Sequence, residues 1–389
     1  AHMGAYFSSP IIAAGSGVSS DKKVATAVAA AVSAAGVAKP TMAFCACTVA
    51  HKAADVAKEF GKLLPGVPIH GITSSAAILQ PGGATPDGVG CLLIEAAEGS
   101  FATGFASDGS ATAAATALKV KMATPKALIL GATPGAEEGA LLELAEIFPG
   151  VPVYGGTAAD NDVSGKWSVF SESGASAKGL SLVGVGAGVK FFGSMMGPYT
   201  PTPKKAVATG CDGRKVAKIG GVPAGDWVYE WIGDAIKTEY EKGGMILGPT
   251  SQKPIGIKQP TGELVSAHLA IMGGKKDGSV TFFTPVPEGS EVVVMDSGTG
   301  PATGYAGALA AAYKAASGYF SSPKAALLVY CGGMAIAVGD KLDEGLKGPL
   351  AQATAGVPVL GMTCFGEQGV CGRAGNVQRN LSMGMLTFA

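Results

Sequence analysis

The chain has 389 residues, of which 60 are glycine, 47% are hydrophobic and 15% are charged. That composition can build a core and excludes a disordered chain, and glycine without a Gly-X-Y period excludes collagen. Lys plus Arg and Asp plus Glu both number 29, so the formal net charge is zero, and scattered basic doublets leave no stripe for nucleic acid.

The length suggests two or three domains. Ala1-His2-Met3 reads as a cloning remnant, so a native leader directing the chain to an organelle stays open. Seven cysteines, an odd number without regular spacing, fit a reduced protein of the cytoplasm. The first helical pattern, 24–38, is mostly alanine and too short to cross a membrane.

An apolar run at 42–47 has the length of a buried strand, and Val56, Phe60 and Leu63 then recur at helical spacing. Gly66-Val67-Pro68-Ile69-His70-Gly71-Ile72-Thr73 follows, then a strand pattern at 90–96. The same order returns: a run at 127–130, then Leu141, Leu144, Ala145 and Phe148 at helical spacing, with Glu137 and Glu138 where a helix dipole favours them. It closes on Gly150-Val151-Pro152-Val153-Tyr154-Gly155-Gly156-Thr157. Strand patterns at 179–189, 279–283 and 291–295, a proline-rich linker at 198–203 and a helix over 223–242 come next. The third copy has a run at 325–331, Leu342, Leu346 and Leu350, and Gly356-Val357-Pro358-Val359-Leu360-Gly361-Met362-Thr363. Tyr6–Pro10 also echoes 319–323.

A strand–helix–strand unit of this length implies parallel pairing and a right-handed crossover. The fold expected is α/β: repeated βαβ units forming mixed, largely parallel sheets in two tightly associated domains, 4–203 and 204–389. Ligands of such sheets bind beyond the carboxyl ends of the strands. That edge carries Thr48, His51, Thr73, Ser74 and Ser75 in the first unit, and Thr133, Gly156, Thr157 and Asp160 in the second. In the third it carries Cys331, Gly332, Gly333, Thr363, Cys364, Phe365 and Glu367. Hydroxyls, thiols, an imidazole and carboxylates suit a small polar molecule.

Each candidate also has a structural reading. Cys331 ends a buried strand, where cysteine serves as a small hydrophobe; Cys364 lies in a loop. Glu367 and Asp160 suit turns or caps as well as chemistry, and His51 suits a helix start. His70 fills the slot held by Tyr154 and Leu360, so packing explains it, and His268 carries no pattern. Cys45-x-Cys47 has no second pair to complete a zinc site. Gly131–Gly135 matches neither phosphate-loop spacing, and Gly184, Gly186 and Gly188 suit close backbone approach.

The residues resemble the FIST family of sensory domains, found in bacterial signalling proteins and some F-box proteins. The resemblance rests on Gly155–Asp160, Val207–Thr209 leading into 219–227, Pro285–Gly289, Leu327–Gly332, Gly361–Glu367 and Arg379–Ser382. It departs at Ala76 and Ala77, where the family has Gly-Glu, and at Met334, where it has Arg. The resemblance implies a sensor of a small, amino-acid-like molecule held in the crevice between the domains; the strand-edge rule gives its candidate contacts as Thr73, Ser74, Gly156, Thr157, Asp160, Gly332, Thr363, Cys364, Phe365 and Glu367. No cofactor is required, although some relatives hold haem, whose axial ligand would come from His51, His70 or His268. No F-box, kinase or cyclase segment accompanies the pattern, so output would pass through a protein partner. The alternative is an enzyme of the lyase or hydrolase type using Cys364, Glu367, Cys331 and His51 for thiol or acid–base chemistry.

Overall fold

A computed structural model describes residues 11–297, 304–318 and 322–389; the echo of Tyr6–Pro10 at 319–323 falls mostly outside these. The repeat is longer than the motif reveals. Each unit runs strand, helix, strand, helix, strand, hairpin, strand.

In the first unit the βαβ core is strand Met42–Thr48, helix Ala53–Leu63 and strand Ile69–Ser74. Strand Ile11–Ser19 and helix Val24–Ala35 precede it; the hairpin Ala77–Gln80/Gly83–Pro86 and strand Val89–Ala96 follow. The second unit repeats this with core Ala127–Ala132, Glu137–Ile147 and Val153–Thr157, and hairpin Val169–Ser171/Gly174–Ser176. The third has core strands Ala325–Cys331 and Val359–Cys364, and hairpin Glu367–Val370/Asn376–Arg379.

The helical spacings hold in part: Val56, Phe60, Leu141, Leu144 and Phe148 are buried, whereas Leu63 and Ala145 are exposed. Ala53, Val56, Ala57 and Phe60 form one buried stripe on their helix. Leu342, Leu346 and Leu350 are buried too, but Pro349 has no N–H to give, and the expected single helix is broken into short segments with a π turn at Leu346–Leu350.

Each unit builds one six-stranded sheet. The two motif strands pair in parallel in all three, as the crossovers require, whereas every other pairing among the described residues is antiparallel. The sheets are therefore mixed as expected but not largely parallel, because only the motif strands are joined by crossover helices. Each hairpin leaves its own unit. The first unit's hairpin pairs with Val359–Cys364, the second's with Ile69–Ser74 and the third's with Val153–Thr157. This cyclic exchange closes the units into a ring. Their inner faces share one core, in which Phe44, Ile72, Ile129, Val183, Val329 and Leu386 meet. Their outer faces are covered by each unit's helices. Strands covered on both faces read as continuous apolar runs, which is why they were visible in the sequence.

The motif residues hold the exchange together. Phe170, Gln368 and Leu79 stand opposite Gly71, Gly155 and Gly361. A Cβ at Gly71 would overlap the Phe170 ring, and one at Gly361 would meet Leu79 Cβ at 2.7 Å. The motif threonines tie down the incoming strands. Thr73 Oγ1 accepts from Ser168 N–H, Thr157 Oγ1 accepts from Gln368 Nε2, and Thr363 Oγ1 donates to Ser75 O.

Residues 199–297 interrupt the third unit between its first strand, Phe191–Met196, and helix Tyr305–Ser317. They form a nine-stranded antiparallel sheet with helix Ala224–Ile232 on it and a separate core around Trp227, Val228 and Phe282. The proline-rich 198–203 is not a linker but the start of strand Tyr199–Asp212. Its ladder slips between Pro201 and Lys205, where prolines cannot donate. No helix among the described residues is long and apolar enough to cross a membrane.

Candidate functional site

The carboxyl ends of the motif strands are three equivalent places, and the ring lets them be compared. Thr48, Thr133 and Cys331 end or follow the first motif strand. Their closing-strand partners are Gly88, Gly179 and Ser382: Thr48 N–H donates to Gly88 O, Thr133 Oγ1 to Gly179 O, and Cys331 N–H to Ser382 O. One residue before each hairpin position opposite the motif glycine stand Ile78, Val169 and Glu367. Two units fill these places with threonine, glycine and aliphatic residues. The third has a thiol, a hydroxyl and a carboxyl.

Glu367 is fully buried. Its Oε2 accepts from Ser382 N–H at 3.2 Å and Ser382 Oγ–H at 2.8 Å, while Oε1 has no hydrogen-bond partner. Burial pushes its carboxyl well above the usual range; the Ser382 bonds and Arg379 only partly offset this. Burial and the neighbouring Glu367 push the Cys331 thiol up too, although Cys331 Sγ accepts from Leu381 N–H at 3.2 Å. Leu381 makes that contact with a φ of +50°, which is strained for a branched side chain.

Cys331 faces a cavity of about 140 Å³. The third unit contributes Cys331, Gly333, Ile336, Phe365 and Asn380 to its wall. The second unit adds the loop Asp160–Val163, and the insertion adds Met245, Leu247, His268 and Phe283. Asn380 joins these parts. Its Oδ1 accepts from His268 N–H, its Nδ2 donates to Phe365 O, and its backbone exchanges bonds with Ser266. His268 Nε2 lies 3.0 Å from Leu247 O, a group that only accepts. The proton therefore sits on Nε2, and Nδ1 is left as an acceptor beside Gly333. Burial lowers the His268 pKa to about 4, so the ring is neutral at neutral pH.

Asp160 is buried, and both its oxygens serve its own loop. Oδ1 accepts from Asp162 and Val163 N–H, and Oδ2 from Ser164 Oγ and Lys166 N–H. It shapes the wall rather than presenting charge. Val163 in that loop takes a φ of +57°, and Ala76, whose N–H donates to Asn161 Oδ1, takes +59° where the family resemblance led us to expect glycine.

The other expected site residues lie elsewhere. Cys364 Sγ points into the shared core toward Gly156. Thr73, Ser74 and Thr363 commit their hydroxyls to the hairpin exchange, and Thr157 Oγ1 accepts from Gln368 Nε2 while donating to Glu137 Oε1. Gly332 begins the helix Gly332–Val338 against Cys364 O. His51 is buried in the first unit with Nε2 on Asp87 O, away from Cys331. His70 packs under the ring's core with Nδ1 2.8 Å from Ser181 Oγ. Met334 is fully buried among apolar side chains. At the glycine-rich turn Gly131–Gly135, Glu137 Oε2 accepts the Gly135 N–H, so a carboxylate already holds the place a phosphate would take. The sequence offered His268 only as a haem ligand and Asn380 only within the family pattern, because they approach the site from the insertion and from a hairpin end.

The cavity is smaller than the ~300–1,000 Å³ of ordinary ligand pockets, and of the three histidines considered only His268 borders it. Nor does any group of three or more His, Cys, Asp or Glu among the described residues have metal-binding geometry.

The fold and cavity define a class: a ring of three βαβ repeats with an inserted unit closing a cavity over one of them. The chain matches the FIST N domain over residues 41–222 and the FIST C domain over 227–370, and it belongs to the FIST family of sensory domains. No curated protein matches it.

Proposed function

We propose that this protein is a small-molecule sensor whose ligand sits in the cavity at the carboxyl end of the third unit, beneath the insertion. One observation carries this reading. The only unit whose threefold-equivalent positions are replaced by Cys331, Glu367 and Ser382 is also the unit whose strand ends open into the cavity. Binding there would bridge the third repeat, the Asp160–Val163 loop and the insertion, which is the coupling a sensor needs. Output would pass to a protein partner that reads their relative position.

An enzymatic reading is less favoured. Cys364 points into the core, His51 lies in another unit, Glu367 does not line the cavity, and burial pushes the Cys331 thiol and the Glu367 carboxyl up. The test is a thermal-shift screen of small metabolites on the wild-type protein and on Ile336→Trp, which plugs the mouth from a half-exposed position. A ligand of this site raises Tm in the wild type alone. A compound that stabilises both equally binds elsewhere and counts against the site.

A further inference from the structure

The wall of the cavity narrows the kind of ligand. Among the described residues, no Lys or Arg lines it. Asp160 is saturated by its own loop, and Asp162 lies at the exposed mouth, 3.8 Å from Lys166 Nζ. The remaining side chains are largely apolar: Leu247, Phe283, Ile336 and Phe365. Apart from these two aspartates the polar lining is neutral, and His268 Nδ1, beside the lining residue Gly333, is an acceptor with no hydrogen bond among the described residues. The apolar lining continues outward, because Val163, Met245 and Ile336 are exposed large hydrophobics at the rim, contributed by three separate parts of the chain.

A charged ligand would lose its hydration and meet no free counter-charge, since no Lys or Arg lines the wall, Asp160 is engaged by its own loop and Asp162 stands at the mouth beside Lys166. Size sets a second limit. A cavity of about 150 Å³ is known to take benzene, and this one holds about 140 Å³. From these facts, and resting on the sensor reading above, we propose that the ligand is an uncharged, mainly apolar molecule with a group about the size of one aromatic ring and a single hydroxyl or N–H that donates to His268 Nδ1. Longer apolar substituents leave through the mouth across Val163, Met245 and Ile336.

Trp167 reports on the site, since its ring meets Phe365 edge-to-face at 5.9 Å. The experiment titrates the wild-type protein with phenol, toluene, benzoate and benzylamine, following Tm and tryptophan fluorescence, with Trp167→Phe to assign the signal. Phenol and toluene are expected to bind, phenol about tenfold tighter through one hydrogen bond, and the two ions roughly a hundredfold weaker than phenol or worse. His268→Phe is expected to remove the advantage of phenol and leave toluene unchanged. Benzoate or benzylamine binding as tightly as phenol, with Ile336→Trp blocking it, overturns the inference and leaves the sensor reading standing. Phenol keeping its advantage in His268→Phe overturns it in the same way. If none of the four binds and no metabolite distinguishes the wild type from Ile336→Trp, both readings fall. The ligand comparison is made on the wild type, so it decides even if a variant misfolds.

Discussion

Glu367 holds the register position in its sheet that Ile78 holds in another: Glu367 lies opposite Gly156, Ile78 opposite Met362, each one residue before the partner of the motif glycine. Ile78 packs on Gly88 and Gly90, whereas Glu367 bonds Ser382. The ring thus contains its own reference for what this place holds when it only supports the fold, and a buried carboxyl is not part of that.

The cost of the carboxyl depends on pH. Burial raises the Glu367 pKa, so above the ordinary carboxyl range the folded protein keeps a proton that the unfolded chain has released. Stability from this group is therefore lost as pH rises toward and through neutrality. Glu367→Gln keeps an acceptor for Ser382 and cannot ionise. It is expected to be more stable than wild type at pH 8 by about 1–3 kcal/mol and to show little difference at pH 4.5. Urea denaturation at the two pH values measures this, and equal differences at both would contradict it.

His70 has the opposite sign. Burial lowers its pKa from 6.5 to about 4, so below 6.5 the unfolded chain takes up a proton that the folded one refuses. The stability it supports is complete above 6.5 and lost as pH falls toward 4, by up to ~3 kcal/mol. His70→Asn is expected to lower stability at pH 7, where the Ser181 bond is lost, yet to decline less steeply between pH 6.5 and 4.5. A wild-type acid limb with unchanged slope in the variant would rule this out.

The hairpin exchange predicts a steric coupling. Gly71→Ala places a methyl in the buried Phe170 ring, which comes from the next unit. Overpacking of this kind costs about 1–3 kcal/mol. Phe170→Leu is expected to be destabilising by itself but to absorb part of the Gly71→Ala penalty, giving a non-additive double-mutant cycle. Strict additivity would mean that the two residues do not meet.

The three motif copies were legible because parallel strands buried on both faces leave apolar runs, and because Gly71, Gly361 and the motif threonines serve one purpose in every unit. The exchange was not legible. The partner of Ile69–Ser74 lies about a hundred residues away, and nothing local in Val169–Ser171 says which sheet it joins. The 199–297 insertion hid the third unit's true beginning at Phe191, so its strand and helix looked unrelated. At the site, Cys331 and Glu367 were visible as residue types, but Cys364 looked equivalent to them. Cys331 and Cys364 are register partners at the ends of parallel strands, so alternation does not separate them; Cys364, expected in a loop, ends its strand inside the shared core, whereas Cys331 lines the cavity. Asp160 suited either a turn or chemistry in the sequence, and the four bonds within its own loop decide for the turn.

Asn380 is where the insertion and the third repeat are joined, and its removal tests whether they act as one unit. Asn380→Ala deletes the acceptor for His268 N–H and the donor to Phe365 O in a buried place, while the backbone bonds to Ser266 remain. Leaving a buried N–H without its acceptor costs about 1–3 kcal/mol. Because the insertion has its own core around Trp227 and Phe282, it can melt separately once its attachment is weakened. Calorimetry is expected to show the insertion's transition moving to lower temperature and separating from that of the ring, with phenol binding weakened in parallel because the cavity wall is built from both sides. A single transition at the wild-type temperature would show that the attachment does not run through Asn380.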